Sequence, residues 1–209
     1  MSAPVTDRAA HRSFLNRYYG LSRHFYDATR KYYLFGRDVV LDQLVAERWT
    51  TLVEIGPGTG RNLRLLHEKR PDARLGGVEA SDAMLTHARE RCAWASLVHG
   101  FAEDADLTAV LGVRPDRILF SYVLSMVGDP GKALDAARAA LAPGGEVVVV
   151  DFGDMSALPG AVRRPFRGWL GTFHVEPPAV ELLRARGATL SWGPGRYYVV
   201  ARLRGPDNG

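Results

Sequence analysis

Cysteine occurs once, at Cys92, so no intrachain disulfide is available to hold this chain together. Long apolar runs are also missing: none approaches the ~20 residues that span a bilayer. The first residues show neither an apolar signal core nor a cleavage site, and with the lone cysteine this makes a cytoplasmic protein the expectation. No internal repeat or low-complexity tract is visible, which argues against a repeat architecture. Lysine is scarce, at Lys31, Lys69 and Lys132, and arginine supplies the rest of the 27 basic residues against 23 acidic ones, a formal net charge of +4. Part of the excess sits at Arg8, Arg12, Arg17, Arg23, Arg30, Lys31 and Arg37. Such a bias favours anionic surfaces, and phospholipid head groups or nucleic acid would both satisfy it.

What the chain does have is 46% hydrophobic residues over 209 positions, enough to bury one substantial core. The expectation is one domain over residues 1–209, with an N-terminal helical lid at 1–48, a core at 49–204 and a tail at 205–209. The core is organised around Val53-Glu54-Ile55-Gly56-Pro57-Gly58-Thr59-Gly60, an apolar strand that runs into a glycine-rich turn and then a helix. Glycines at alternate positions let the backbone swing off the strand and bring its N–H groups close to a polar ligand. The dinucleotide fingerprint needs its third glycine one residue later, where this chain has Arg61, so a pyrophosphate-binding loop is disfavoured. About 20 residues further on, where such folds place the acid that bridges ribose hydroxyls, a second strand ends at Glu79. A carboxylate accepts from two hydroxyls at once and repels a 2′-phosphate, so Glu79 suits an unphosphorylated adenosine.

From residue 50 onward apolar runs alternate with helical patterns, which predicts a doubly wound parallel sheet covered on both faces. Strands are expected at 51–55, 73–79, 95–99, 116–120 and 146–152, and helices at 62–69, 82–92 (capped by Ser81), 105–111 and 130–141. An irregular stretch with Pro159, Gly160, Pro165, Gly168 and Gly171 follows, then a helix over 179–186 and a closing hairpin, 188–192 with 197–203. The fold class is therefore α/β, a Rossmann-like sheet of seven strands with an antiparallel last strand. Ahead of it lies an N-terminal helical extension over 13–44, interrupted at Gly20 and Gly36, with an unusual density of tyrosine at Tyr18, Tyr19, Tyr26, Tyr32 and Tyr33.

The glycine turn resembles motif I of class I S-adenosylmethionine-dependent methyltransferases, where it wraps the methionine end and ribose of the cofactor. Those enzymes often follow the third strand with Gly-Asp-Ala, the aspartate accepting from the adenine amino group. Here the run is Gly100-Phe101-Ala102-Glu103-Asp104, with Phe101 at the acidic position and Glu103 or Asp104 left to supply the acceptor. Asn-Pro-Pro-Tyr, the mark of adenine and glutamine methylation, is absent after the fourth strand, which exits as Ser121-Tyr122. Those two present oxygens and an aromatic face to a sulfonium and an amine, with Tyr122 in the core as the competing reading. Arg163, Arg164 and Arg167, interleaved with Phe166, Trp169, Leu170 and Phe173, suit either a segment on a membrane interface or a packed lid.

The run 25–38, FYDATRKYYLFGRD, together with Gly58-Thr59-Gly60-Arg61-Asn62, residues 120–126 and Phe173-His174-Val175, resembles the diacylglycerylhomoserine N-methyltransferases of betaine-lipid synthesis. The resemblance implies methyl transfer to a lipid amine at an anionic membrane surface. It implies a cytoplasmic enzyme, peripheral on the inner membrane face, with no metal and no nucleic acid partner. It also implies cofactor contacts from Tyr26, Tyr33, Arg37, Glu54, Gly56, Gly58, Gly60, Asn62, Glu79, Ala80, Met84, Phe101, Ala102, Glu103 and Ser121. Tyr32, Tyr122 and His174 are then the candidates beside the reacting groups. Alternatives are a soluble small-molecule or phosphatidylethanolamine N- or O-methyltransferase and a cofactor-binding module without turnover.

Overall fold

The computed structural model describes residues 34–172 and 180–205. Helix α1 (Phe35–Ala46) precedes β1 (Thr51–Ile55), α2 (Arg61–Lys69), β2 (Arg74–Glu79), α3 (Asp82–Arg91) and β3 (Ser96–His99). After α4 (Leu107–Leu111) and β4 (Arg117–Ser121), a short 3-10 turn, Leu124–Met126, leads to α5 (Pro130–Ala140) and β5 (Glu146–Phe152). The chain then forms α6 (Gly160–Thr172), α7 (Val180–Ala185), β6 (Thr189–Trp192) and β7 (Tyr198–Arg204). The sheet order is β3-β2-β1-β4-β5-β7-β6. Strands β1 to β5 pair in parallel, and β7 runs antiparallel to β5 and β6.

Strands buried on both faces carry apolar residues throughout, and the Val147 to Val150 run of β5 is fully buried. Alternate residues feed two cores. Leu52, Leu119, Val148 and Val150 face α1, α2 and α3 through Leu41, Leu44, Leu63, Leu66 and Leu85. Val53, Ile118, Phe120 and Val149 meet Leu107, Val110, Leu134 and Leu183 of α4, α5 and α7 on the other side. The side-chain oxygens of Ser81, Asp106 and Asp129 accept from the first turns of α3, α4 and α5, so these three helices start at capped positions. The chain winds outward from β1 to β3 and then returns to β4 on the other side of β1. That reversal leaves a crevice at the carboxyl ends of β1 and β4.

Two expectations are corrected. Gly36 does not break the extension but lies in the first turn of α1, where a Cβ would come within 2.5 Å of the Tyr198 ring. Glycine there permits a close approach of helix and sheet. The stretch after β5 is also not irregular: α6 runs through Pro165 and Gly168. The turn at Pro159, whose carbonyl accepts from Val162 and Arg163, starts the helix, and Phe166 anchors it on Tyr197 at 5.2 Å between rings. Tertiary packing outweighs the single hydrogen bond that Pro165 forfeits.

Gly60, at φ +76°, begins α2 in the left-handed region, and a Cβ there would lie 2.6 Å from Cys92 Sγ. Gly60→Ala is therefore expected to cost about 1–2 kcal/mol from backbone strain alone. A lowered thermal midpoint, partly restored when Cys92→Ala is added, would confirm it. An unchanged midpoint would show that the turn relaxes freely.

Candidate active site

The crevice is built from the loop that leaves β1. Gly56, Gly58 and Gly60 all have φ between +57° and +76°. At Gly56 the reason is steric as well, since a Cβ would meet Val123 at 2.6 Å. Gly56 N–H still donates to Val78 O at 2.8 Å, so the sheet holds the loop's first residue, and Gly60 N–H donates to Pro57 O at 2.9 Å, closing the turn.

Glu79, at the end of β2, ties this loop to the next one. Its Oε2 accepts from Gly58 N–H at 3.0 Å and its Oε1 from Ser81 N–H at 2.9 Å. Burial raises its pKa, against the pull of those backbone donors. These bonds use part of the carboxylate's roughly four lone-pair positions and leave room for hydroxyl donors. Glu54, buried on β1, accepts from Asn62 Nδ2 at 2.7 Å through Oε1. Burial pushes its pKa up to about 8, opposed by the Asn62 hydrogen bond and by the nearby charge of Arg37.

Two clefts meet on this loop. The larger, about 670 Å³, runs past Val78, Glu79, Ala80, Met84, Phe101, Ala102 and Glu103 to Val127 and Gly128. The smaller, about 390 Å³, is bounded by Leu34, Arg37, Glu54, Thr59, Arg61 and Asn62. They share Gly56, Gly58 and Ser121 as a common neck. Among the described residues, Glu54 Oε2, Asn62 Oδ1 and Ser121 Oγ are buried without a hydrogen-bond partner. Such atoms call for a polar ligand. The arrangement suits an elongated molecule with a diol and a ring at one end, a zwitterionic amino acid at the other, and a small reactive centre between.

A family described as methyltransferase domain matches residues 24–185, well over half the chain. The chain belongs to that family. Trans-aconitate 2-methyltransferase from Paracidovorax citrulli (strain AAC00-1) is 36% identical over 98 residues, 47% of this chain and 37% of that protein. The protein of the same name from Variovorax paradoxus (strain S110) is 34% identical over the same share of both chains. The match thus spans little more than a third of these relatives. An S-adenosylmethionine-bound amino pentose methyltransferase from Micromonospora echinaspora is 28% identical, with a TM-score of 0.50 over 59% of this chain and 54% of that one. The fold is also that of the plantazolicin methyltransferase solved with S-adenosylhomocysteine, at 15% identity, with a TM-score of 0.66 over 91% of this chain and 79% of that one. The family stands at the level of the methyltransferase domain, not at that of the betaine-lipid enzymes.

S-adenosylmethionine is the cofactor of this domain, and the joined clefts fit it. Glu79 would hold the ribose diol, Glu54 the ammonium and Arg37 the carboxylate of the methionine end, with adenine beside Phe101, Ala102 and Met84. Three of the predicted residues take other places. Gly60 borders neither cleft and serves as the left-handed start of α2. Tyr122 reaches the larger cleft, but its ring packs edge-on against Phe152 at 4.9 Å and its hydroxyl accepts from Gly36 N–H at 3.3 Å. Burial raises that hydroxyl's pKa. Tyr122, with φ +53°, therefore fastens α1 to the end of β4 as well as lining the cleft. Phe166, expected either on a membrane interface or in a packed lid, packs at the edge of the core against Tyr197 and Phe152. Tyr26, Tyr32, Tyr33 and His174 lie outside the described residues.

Sequence reasoning missed Val127 and Gly128, which follow the 3-10 turn and close the far wall of the larger cleft. Gly128 sits just before Asp129-Pro130, so it reads as punctuation ahead of a helix cap. No local signal marks it as a wall.

Proposed function

We propose that this chain transfers a methyl group from S-adenosylmethionine to a nucleophilic nitrogen or oxygen of a small molecule, leaving S-adenosylhomocysteine. The observation that carries the reading is the neck at Ser121, where a cleft holding Glu79 meets one holding Arg37 and Glu54. The cofactor, when bound, supplies an electrophilic methyl on a sulfonium. Glu79, Arg37 and Glu54 would hold its two ends, and Val123 and Met126 line the larger cleft as apolar wall. Among the described residues, the oxygen nearest that neck with no other partner is Ser121 Oγ, a hydroxyl too weakly basic to take a proton from a cationic amine. An acceptor that arrives already nucleophilic, as a neutral amine or a carboxylate, suits such a neck, where alignment contributes more than proton transfer. The relatives' printed name, trans-aconitate 2-methyltransferase, supports a small anionic acceptor.

A second reading keeps the lipid amine, with the enzyme peripheral on the inner membrane face. It is favoured by α6, which presents exposed Arg164 and Val162. No helix among the described residues is long and apolar enough to cross a membrane. The test is methyl transfer from labelled cofactor to trans-aconitate, to small amines and to vesicle-borne diacylglycerylhomoserine, with calorimetry of S-adenosylhomocysteine. Label in a water-soluble acceptor supports the first reading. Label only in the vesicle-borne lipid, lost in Arg163→Glu with Arg164→Glu and falling as salt rises, supports the second. No binding of S-adenosylhomocysteine overturns both.

A further inference from the structure

Helix α1 opens without a cap of its own. Leu34, at its N-cap, makes no side-chain hydrogen bond, so the N–H groups of the first turn need acceptors from elsewhere. Gly36 N–H finds one in the Tyr122 hydroxyl, 3.3 Å away and 86 residues later in the chain. The tyrosine is a fixed post. Its own N–H donates to Val150 O at 2.8 Å on β5, and its buried ring stands edge-on to Phe152 at 4.9 Å. Arg37 follows Gly36, is itself buried, and leaves this turn to border the smaller cleft beside Leu34, Glu54 and Asn62. A long side chain with several rotatable bonds reaches one place reproducibly when its backbone origin is fixed. The far end of α1 has a separate hold, since Trp49 Nε1 donates to Leu44 O at 2.6 Å, about two turns beyond Arg37.

We propose that Tyr122 is a positioning residue: as the remote cap of α1 it stations Arg37 over the smaller cleft, and so sets how strongly the site selects a ligand that carries a carboxylate. The proposal rests on the S-adenosylmethionine reading, in which Arg37 takes the carboxylate of the methionine end, and adds what puts Arg37 in place. Tyr122 also lines the larger cleft, so one side chain borders that cleft and secures a wall of the other. Removing only its hydroxyl leaves the ring on Phe152 but deprives Gly36 N–H of its acceptor. The turn from which Arg37 departs is then loosened, and the guanidinium meets the carboxylate less well.

The experiment compares S-adenosylhomocysteine with the analogue in which hydrogen replaces its carboxylate, binding each to the full chain by calorimetry at pH 7. The parent is expected to prefer the carboxylated ligand by about ten- to hundredfold, the range for a hydrogen bond to a charged group, and Arg37→Gln should lose most of that preference. Tyr122→Phe should cut the preference by about three- to tenfold, the range for one ordinary hydrogen bond, with little change in the analogue's own affinity. In the Arg37→Gln background Tyr122→Phe should leave the ratio where it is, because both changes act on one interaction. Trp49→Phe removes the hold at the other end of α1, so its thermal midpoint should fall while its ratio stays parental. A Tyr122→Phe protein that keeps the parental ratio overturns the proposal, and so does an effect on the ratio that persists in full without Arg37 or is matched by Trp49→Phe. A parent that binds both ligands alike overturns the assignment of Arg37 and the proposal with it. A parent that binds neither overturns the cofactor reading itself, which separates the failures.

Discussion

Replacing Glu79 with alanine is expected to weaken S-adenosylhomocysteine binding by roughly 1.5–3 kcal/mol, the range for hydrogen bonds to a charged group. The effect has two sources. The carboxylate would lose the ribose hydroxyls, and the glycine loop would lose the acceptor that fixes Gly58 N–H at 3.0 Å. With Ser81 N–H also deprived of its partner, two backbone donors next to a buried site are left unpaired. The thermal midpoint should therefore fall together with the affinity. Glu79→Gln separates the contributions, since its amide oxygen can still accept one loop N–H while its NH2 is a poor match for hydroxyl donors shared by both oxygens. Calorimetry should show Glu79→Gln weakened in binding but less destabilised than Glu79→Ala. Unchanged affinity in the alanine variant would remove Glu79 from the cofactor site.

The second large effect concerns Glu54 and is read against pH. Its folded pKa is raised from 4.5 to about 8, first by burial, so between those values the folded chain binds a proton that the unfolded chain does not. This contribution to stability is fully present below pH 4.5 and is lost as pH rises through the window toward 8. Glu54→Gln has no such slope. The variant should gain on the parent by on the order of 1–3 kcal/mol near neutral pH, each pKa unit corresponding to about 1.4 kcal/mol. Binding should move the other way. A cofactor ammonium pairs with the ionised carboxylate, so binding by the parent releases a proton below pH 8, and affinity rises with pH until the α-amino group, with a reference pKa of about 7.7–8.0, begins to lose its own charge. Calorimetry in two buffers of different ionisation enthalpy should detect release in the parent and none in Glu54→Gln, which should also bind more weakly. A parent that releases no proton at pH 7 would show that Glu54 does not receive the ammonium.

Glu54 and Glu79 illustrate how much of the site is local. Glu54 is the last residue but one of β1 and Glu79 the last of β2, and their distance from the glycine turn is a matter of counting residues. The partner of each is not. Glu54 meets Asn62 in the first turn of α2, and Glu79 reaches back across 21 residues to Gly58 N–H, so the two acids brace one loop from two strands. The charge at Glu54 is governed by its burial and the approach of Arg37, and burial is a property of everything packed around β1.

The residues alone determined the alternation of strand and helix, the seven strands with an antiparallel last one, and the glycine turn with its acids. These follow from short-range physics: apolar runs that must be covered on both faces, glycines that accept positive φ, and side-chain oxygens that cap the next helix. Only the tertiary structure decided what depends on distant segments meeting. It placed Tyr122 beneath Phe152 with its hydroxyl on Gly36, 86 residues away. It folded residues 160–172 as a helix because Phe166 finds Tyr197, although proline and glycine in that stretch argue against one. Between two neighbouring acids it drew Asp104 to Lys132 and left Glu103 on the cleft, a choice that depends on where α5 lies and that no local pattern encodes.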